Sequence, residues 1–265
     1  MDRIIDTHAH LDMSEFDSDR EQVIARAFAN GVAAIVTIGI DLESCRRALE
    51  LAQKHPRIFA GIGIHPQNTG GVTKSDIDQL ERLAGQPGVV AIGELGLDYL
   101  RDYAPRPQQL QVLRWELKLA QKMGLPVVVH CRQAQDMMVP ELQEWSRSYP
   151  LPPGRPRGIL HNFRDDFDTA CRYLEMGFYL SIGAYLGYPA SVRLCAALAQ
   201  VPLDKILIET DCPFLPPQEL RGQRNEPSYV QATVRKLAEI KGITPQEVAR
   251  QTTAHAIEVF KLSIP

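Results

Sequence analysis

Long apolar runs are missing from this chain of 265 residues. A helix that spans a membrane needs about 20 consecutive apolar residues, and no stretch of the sequence comes close to that length. Residues 1–8 lead straight into a strand pattern that carries polar side chains, which is unlike a secretory signal peptide. We therefore predict a cytoplasmic protein with no membrane partner and no obligate protein partner.

Cysteines are few, and no two of them form a CxxC pair. Cys45, Cys131, Cys171, Cys195 and Cys212 are odd in number and widely scattered, a pattern typical of free thiols in a reducing compartment. Cys131 and Cys212 lie beside candidate metal ligands, but the histidine and the aspartate next to them explain a site better. A chain of this size also buries a core large enough to fold without a disulfide or a structural metal.

An excess of positive charge is absent as well. The formal net charge is −3, with 45% hydrophobic and 23% charged residues, values that are ordinary for a soluble globular protein. We therefore expect no broad basic surface that grips duplex nucleic acid. A short or frayed nucleic-acid end stays open as a substrate, because a metal cluster can supply positive charge locally.

Repeats, long linkers and low-complexity tracts are also missing, and short apolar runs instead alternate with helical patterns along the chain. The apolar runs predict strands at residues 3–6, 32–38, 58–64, 89–92, 126–129, 158–160, 178–182 and 206–208. The helical patterns predict helices at residues 17–30, 42–54, 75–83, 108–123, 136–145, 167–175 and 190–199, and a final helical region at 228–260.

This alternation predicts an α/β protein with a parallel sheet. Strand residues 33–38 and 126–129 are almost continuously apolar, as in a sheet that helices cover on both faces. A doubly wound open sheet would alternate in the same way, but the count of eight strands and the distribution of polar residues favour a closed TIM (β/α)8 barrel. The proline-rich stretch 149–156 is too short for a domain boundary, so we expect residues 1–265 to form a single domain.

Most histidines fall where the predicted strands end. Five of the seven lie at or just past such an end: His8, His10, His65, His130 and His161. A TIM barrel builds its active site at the carboxyl ends of its strands, and core packing does not explain so many imidazoles there. His55 and His255 lie on helical segments, and we interpret both as structural or solvated.

His8 and His10 belong to the sequence Asp-Thr-His-Ala-His at the end of the first strand. Two residues apart on an extended strand, both side chains point to the same face. An alternative interpretation is a pair of satisfied polar residues. At the end of a first barrel strand, however, the pair favours joint ligation of one metal ion.

Glu94 lies just beyond the predicted fourth strand, in Ala-Ile-Gly-Glu-Leu-Gly-Leu-Asp-Tyr. Gly93 and Gly96 permit tight backbone turns that bring the carboxylate into the barrel mouth. A carboxylate has two oxygens and can bridge two cations, as in binuclear sites. Asp98, further along, is expected either to orient a ligand or to contact Tyr99.

His130 ends the fifth strand in Val-Val-Val-His-Cys-Arg, and Arg132 follows two residues later on the same side. A neutral imidazole ligates a metal ion, whereas a guanidinium does not. Arg132 is therefore predicted to hold an oxyanion of the substrate in a bidentate grip.

The ends of three further strands supply the remaining candidates. His161 ends the sixth strand and Asp211 follows the eighth, where a buried carboxylate that faces two metals can both ligate and accept a proton from the attacking water. Glu209 is expected to support a ligand from behind. His65, in Gly-Ile-Gly-Ile-His-Pro, is predicted to contact the substrate, with a buried hydrogen-bonded histidine as the alternative.

Seven motifs occur in order between residues 7 and 227: Thr-His-Ala-His, Gly-Ile-His-Pro, Gly-Glu-Leu-Gly-Leu-Asp-Tyr, Val-His-Cys-Arg, Leu-His-Asn-Phe, Glu-Thr-Asp-Cys-Pro-Phe-Leu and Arg-Asn-Glu-Pro. Together they resemble the TatD family of metal-dependent deoxyribonucleases, within the amidohydrolase-like barrels. Each motif alone is weak, but seven in the right order are specific and span almost the whole chain.

This resemblance implies a centre with two divalent metal ions, such as Mg, Mn or Zn. The first ion would be held by His8, His10, Glu94 and Asp211. The second ion would be held by Glu94, His130 and His161. The resemblance also implies 3′-to-5′ exonuclease action on DNA, at single-stranded or frayed 3′ ends. His65 and Arg132 would lie near the phosphate, and Glu94 and Asp211 would act in catalysis, with Asp211 as the base.

Three features depart from the family pattern. Arg164-Asp165-Asp166 stands where the family commonly has a small Ser-Gly pair, residues 181–186 differ from the usual form, and His255 occupies a place where asparagine is common. All candidate ligand positions match the pattern. The departures therefore concern the loops that shape substrate choice.

Two other functions compete with phosphodiester hydrolysis. The same barrel supports hydrolysis of amides or esters in a small molecule or an aminoacyl-tRNA, because the fold does not determine the function. Related barrels often bridge their metals with a modified lysine at the fourth strand, and Glu94 in that region disfavours this branch. A non-catalytic metal-binding protein is the third hypothesis, and the complete ligand set weighs against it.

Overall fold

Parallel strands arranged in chain order form the centre of the fold, which a computed structural model describes over residues 3–101 and 103–264. Within these ranges the strands are β1 (Ile4–Ala9), β2 (Val32–Ile38), β3 (Ile58–Ile62), β4 (Val89–Asp98), β5 (Val127–Arg132), β6 (Gly158–Leu160), β7 (Phe178–Ile182) and β8 (Ile206–Ile208). Each strand pairs in parallel with the next, from β1 to β8.

The barrel closes between β8 and β1 at the carboxyl end of the strands. A parallel bridge joins Ala9 to Cys212, the amide of Asp211 donates to the carbonyl of His8 over 2.9 Å, and the amide of His10 donates to the carbonyl of Cys212 over 2.8 Å. The prediction of a TIM (β/α)8 barrel is therefore confirmed. Because the closing bonds involve the backbone of His8, His10 and Asp211, closure brings the predicted ligands of the first strand next to the predicted ligand that follows the eighth.

Helices surround the strands. In the described ranges they are α1 (Arg20–Ala29), α2 (Leu42–Lys54), α3 (Lys74–Ala84), α4 (Arg106–Met123), α5 (Gln135–Ser148), α6 (Phe167–Glu175), α7 (Val192–Gln200), α8 (Val230–Lys241) and α9 (Pro245–Phe260). No helix of this described part is long and apolar enough to cross a membrane.

The predicted final helical region proves to be two helices, α8 and α9. Gly242 ends α8 with a left-handed φ of 64°, a conformation that glycine adopts without steric cost. The side chain of Thr244 then accepts a hydrogen bond from the amide of Glu247 and caps the start of α9. A helix-period pattern alone does not reveal this break, because the apolar positions continue across it.

The barrel interior is apolar below the mouth. Ile5, Val36, Val128 and Leu207, from four different strands, share one buried cluster with Phe260 and its neighbours in α9. Helix α9 thus covers the end of the barrel opposite to the strands' carboxyl ends. Polar side chains concentrate at the other end, where the strands deliver His8, Glu94 and their partners.

Strand β4 is longer than predicted, and this corrects the placement of Glu94. The sequence indicates an end at Ile92, but β4 continues to Asp98 and pairs with β5 up to Arg132. Gly96 makes this possible, because a Cβ at that position would lie 1.9 Å from the carbonyl oxygen of His130. Glu94 therefore lies within a strand rather than in a loop beyond it.

Candidate metal centre

The six predicted metal ligands lie together at the carboxyl end of the barrel, and all are wholly or largely buried. Their ligand atoms fall into trios whose members lie within 4.8 Å of one another. Two trios contain only predicted ligands: His8, His10 and Asp211, and His8, Glu94 and His161. A third trio joins Glu94 and His130 to His65, which the sequence assigns to the substrate.

Glu94 occupies the middle of the cluster, and its two oxygens face different histidines. Oε2 lies 3.3 Å from Nε2 of His8 and 3.8 Å from Nε2 of His10. Oε1 lies 2.8 Å from Nδ1 of His130 and 3.5 Å from Nε2 of His161. The carboxylate thus divides the imidazoles into two sets, one on each oxygen.

Asp211 closes the cluster on the side of β1. Its Oδ1 lies 3.5 Å from Nε2 of His10 and 3.9 Å from Nε2 of His8. Its backbone φ of 59° is left-handed, which an aspartate tolerates better than most residues. Asp211 lies three residues after the end of β8, and its carboxylate shares His8 and His10 with Oε2 of Glu94.

The hydrogen bond on the far side of His10 determines which ring nitrogen is free. Nδ1 of His10 lies 2.8 Å from the carbonyl oxygen of Ile38. A carbonyl only accepts, so in the neutral ring the proton resides on Nδ1, and Nε2 is the nitrogen whose lone pair is available to a metal ion. Nε2 of His8 lies 3.1 Å from Nε2 of His10. This arrangement fits a cation that is bound by both rings and by the carboxylates that face them.

His65 has the opposite tautomer. Its Nδ1 accepts the amide hydrogen of Gln67 over 3.1 Å, so Nε2 carries the proton of the neutral ring. Burial lowers the pKa of His65 to about 3, despite the charge of Glu94, and the ring is neutral at pH 7. An Nε2–H group donates to a substrate oxygen and does not ligate a metal ion, although it lies 3.5 Å from Oε1 of Glu94.

Carboxylates hold two of the other histidines from behind. Oδ2 of Asp98 lies 3.3 Å from Nε2 of His130, and Oε1 of Glu209 lies 3.0 Å from Nδ1 of His161. Such partners fix the ring orientation and raise the basicity of a ligating imidazole. The sequence leaves two contacts open for Asp98, and the structure shows the contact with a candidate ligand, His130. Glu209 lies behind His161, in the supporting position that the sequence predicts.

The two acidic members of the cluster are ionised. Burial raises the pKa of Glu94, but the charge of His161 and the hydrogen bond with His130 help to outweigh burial and hold that pKa well below its usual range. Burial is likewise the largest influence on Asp211, and the neighbouring histidines still lower its pKa to about 2. Two buried negative charges among imidazoles form a donor set that suits divalent cations.

Three residues at this mouth were missed as site residues in the sequence. Asn162 donates from Nδ2 to Oδ2 of Asp211 over 3.0 Å, and Nε of Arg164 donates to Oδ1 of Asn162 over 3.0 Å. The ring of Phe214 lies 5.9 Å from that of His10 and is 46% exposed. Asn162 and Phe214 belong to the motifs Leu-His-Asn-Phe and Glu-Thr-Asp-Cys-Pro-Phe-Leu, a signal that could have identified them.

A cavity of about 480 Å³ opens over the cluster. His65 and Arg132, the two predicted substrate contacts, line it together with Arg164 and Phe214. The cavity therefore joins the buried donors to a wall with guanidinium and aromatic groups. A ligand in it would contact both.

Comparison with known proteins shows the family to which the chain belongs. Residues 5–261 match the family model of TatD-related DNases. The chain is 38% identical over 260 residues to the metal-dependent hydrolase YabD of Bacillus subtilis, covering 98% of this chain and 100% of that protein. It is 32% identical over 264 residues to the 3′-5′ ssDNA/RNA exonuclease TatD of Salmonella typhimurium, covering 98% and 99%.

A solved structure shows the same architecture. The TatD homologue YjjV of Escherichia coli superimposes with a TM-score of 0.91 at 29% sequence identity, and the match covers 98% of each chain. The relatives and the buried cluster of His, Glu and Asp side chains agree on metal-dependent hydrolysis. The chain belongs to the family of TatD-related DNases and is a metal-dependent hydrolase.

Proposed function

We propose that this hydrolase is a phosphodiesterase that removes nucleotides from the 3′ ends of DNA with two divalent metal ions. The observation that carries the proposal is the division of the histidines by Glu94, with Oε2 facing His8 and His10, and Oε1 facing His130 and His161. One bridging carboxylate between two donor sets is typical of binuclear phosphodiesterases. Relatives that carry the name of a 3′-5′ ssDNA/RNA exonuclease support the choice of substrate.

The proposed division of ligands follows the two oxygens of Glu94. One ion would be held by His8, His10, Glu94 and Asp211, and the other by Glu94, His130 and His161. Bound Mg, Mn or Zn ions would activate the attacking water and stabilise negative charge on the leaving oxygen. The donor set is rich in nitrogen, which suits zinc better than magnesium, while its two carboxylates also suit manganese.

The protein's own residues supply the remaining chemistry. Asp211 is ionised and accepts a hydrogen bond from Asn162 on Oδ2, so its Oδ1 is oriented to accept the proton of the attacking water. The Nε2–H group of His65 donates to a phosphate oxygen, and the guanidinium of Arg132 grips the phosphate. His65 is neutral at pH 7 and already carries the proton that it donates to the phosphate.

The cavity favours an unpaired strand end over a duplex. Pockets of about 300–1,000 Å³ enclose a single small ligand, and the cavity here is about 480 Å³. The exposed ring of Phe214 at its edge offers a face on which one base can stack. Since the net charge is −3, the site rather than the general surface must attract the strand.

The test is digestion of single-stranded DNA that carries a 5′ label. We expect a ladder of shortened products with at least one of magnesium, manganese or zinc, no products with EDTA, and a rate about 10²- to 10⁴-fold lower in Asp211→Asn, which lacks the proposed base. Arg193→Met, an exposed arginine outside the cavity, serves as the control with unchanged activity.

Two outcomes would contradict the proposal. Activity that persists unchanged in Asp211→Asn would mean a contaminating nuclease or a wrong base. If no metal supports cleavage, while two ions per chain are still found by elemental analysis, the substrate is not DNA. Small esters, amides and aminoacyl-tRNA would then be assayed with the same variants.

A further inference from the structure

Three arginines line the cavity beside the metal centre, and two of them, Arg132 and Arg164, follow or end neighbouring strands. Arg132 ends β5, and Arg164 follows β6 in the segment that departs from the family pattern. Burial lowers the pKa of Arg164, Asp211 opposes this, and the nearby charge of Arg132 lowers it further. Two like charges are therefore held close together in a partly desolvated place.

Arg164 is rigidly oriented by contacts that leave most of its donors free. Its guanidinium lies 4.4 Å from the ring centre of Tyr185, and its Nε donates to Asn162. A guanidinium has five N–H donors, and Arg164 forms no other hydrogen bond or salt bridge with residues 3–101 and 103–264. Stacking and one hydrogen bond thus present the remaining four donors, all on the two Nη atoms, as a fixed fork.

The two acidic residues next to Arg164 do not neutralise it. Asp165 accepts hydrogen bonds from Nε2 of Gln135, at 3.0 Å to each oxygen. Asp166 caps α6 through the amide of Thr169 and pairs with Arg193. Asp165 lines the cavity as Arg164 does, but its carboxylate is held by Gln135 and forms no salt bridge with Arg164 in the described part of the chain.

The positive charge of Arg132 is likewise not paired with a carboxylate. In the described part of the chain its side chain has no salt bridge or hydrogen-bond partner, and it lines the same cavity as Arg164. Guanidinium pairs bind phosphate with two parallel hydrogen bonds each. A bound anion would offset the repulsion between the two cations, because Asp211 acts on Arg164 only through space and no carboxylate in the described ranges forms a salt bridge with either guanidinium.

We propose that Arg164 forms a second anion subsite, next to the phosphate that Arg132 grips, and that this subsite binds a substrate phosphate other than the one being cleaved. This inference rests on the proposed phosphodiesterase function and narrows its substrate to chains with at least two phosphates. The second phosphate is either the neighbouring linkage of the strand or a terminal phosphate. Both present the same oxygens to the guanidinium fork.

The test combines a change in the protein with a change in the substrate charge. Unlabelled thymidine trinucleotides with two charged linkages are compared with trinucleotides whose linkage away from the cleaved one is an uncharged methylphosphonate. We expect Arg164→Met to lower kcat/KM by roughly 10- to 100-fold on the charged substrate, as for one lost charge-assisted hydrogen bond. The loss that Arg164→Met causes on the neutral substrate should be at least tenfold smaller, because that substrate already lacks the negative charge that Arg164 would bind.

A second pair of substrates identifies the source of the phosphate. Thymidine dinucleotides with and without a 3′-terminal phosphate separate a terminal phosphate from a neighbouring linkage, since only one of the two pairs responds to Arg164→Met. Arg164→Lys, which keeps the charge without the fork, recovers part of the lost rate. Arg193→Met, which removes an exposed arginine outside the cavity, is expected to cleave every one of these substrates at the wild-type rate.

An equal loss on charged and neutral substrates would overturn the subsite, because it would show a purely structural role for Arg164. If the wild-type chain cleaves none of the oligonucleotides, the proposed function fails instead. Calorimetric binding of the same uncleaved oligonucleotides to the metal-loaded wild-type and Arg164→Met proteins then decides the subsite. Tighter binding of the charged trinucleotide by the wild type alone supports it, and equal binding refutes it.

Discussion

The buried donor cluster and the cavity wall above it share one opening but are built differently. In the cluster, His10, His130 and His161 are each held from behind by a carbonyl or a carboxylate. On the wall, Arg132 and Phe214 have exposed or half-buried tips, and no fixed polar partner of Arg132 lies in the described part of the chain. The cluster is preorganised for cations, whereas the wall is available to a ligand.

This difference separates two tasks. Groups that must hold a metal at fixed distances need support on every side, since an error of about 1 Å in such a site costs much of its activity. Groups that bind a varied substrate gain from free donors and open faces. We therefore expect substitutions behind the cluster to act on metal affinity and kcat, and substitutions on the wall to act on KM.

The largest effect is expected from Glu209→Gln, which tests whether the support behind the cluster acts on metal affinity and kcat. Glu209 is fully buried and contacts Nδ1 of His161 and the amide of Asn162. The glutamine side chain keeps the shape of Glu209 but lacks the negative charge that orients the ring of His161. We therefore expect a loss of about 10- to 100-fold in metal affinity or kcat. Metal titration and steady-state kinetics measure it, and an effect confined to KM would contradict the distinction between cluster and wall.

A smaller effect is expected on the wall, from Phe214→Ala. A base stacked on an aromatic ring contributes about 1–3 kcal/mol, so KM for single-stranded DNA should rise roughly tenfold. The number of bound ions and kcat should stay close to those of the wild type. Phe214→Tyr is the matched control that keeps the stacking face, and a loss of metal from Phe214→Ala would contradict the assignment.

The smallest effect concerns a buried carboxylate outside both regions, Glu116 of α4. Its Oε1 accepts the amide hydrogen of Ile64 over 2.7 Å, and burial raises its pKa well above the usual 4.5. Glu94 is equally buried, but its histidines lower its pKa instead. The comparison shows that neighbouring imidazoles, and not burial, keep the cluster ionised.

Glu116 makes the folded state depend on pH. A carboxyl group whose pKa is raised by folding contributes its full stability below the unfolded pKa and loses it as the pH rises towards the folded pKa. Glu116→Gln is neutral throughout, so its Tm should exceed that of the wild type by a few degrees at pH 8 and by less at pH 5.5. Thermal unfolding at both pH values measures this, and a variant that is less stable by the same amount at both would refute it.

The sequence was sufficient to predict the barrel and the meeting of the donors. His65, His130 and His161 directly follow apolar runs, His8 and His10 come soon after one, and a strand end is a local feature. The length of β4 was not predictable, because it depends on the approach of Gly96 to the carbonyl of His130 in another strand. The same holds for Arg164, whose orientation comes from Tyr185 in the next loop of the barrel.

The most direct test of the account is a crystal structure of the protein loaded with manganese, with anomalous diffraction recorded at the manganese edge. The account predicts two anomalous peaks per chain, one beside Oε2 of Glu94 near His8 and His10, and one beside Oε1 near His130 and His161. A crystal of Glu94→Gln should lose at least one peak. A single fully occupied peak in the wild-type protein, or two peaks on the same oxygen, would contradict the division of the donors by Glu94.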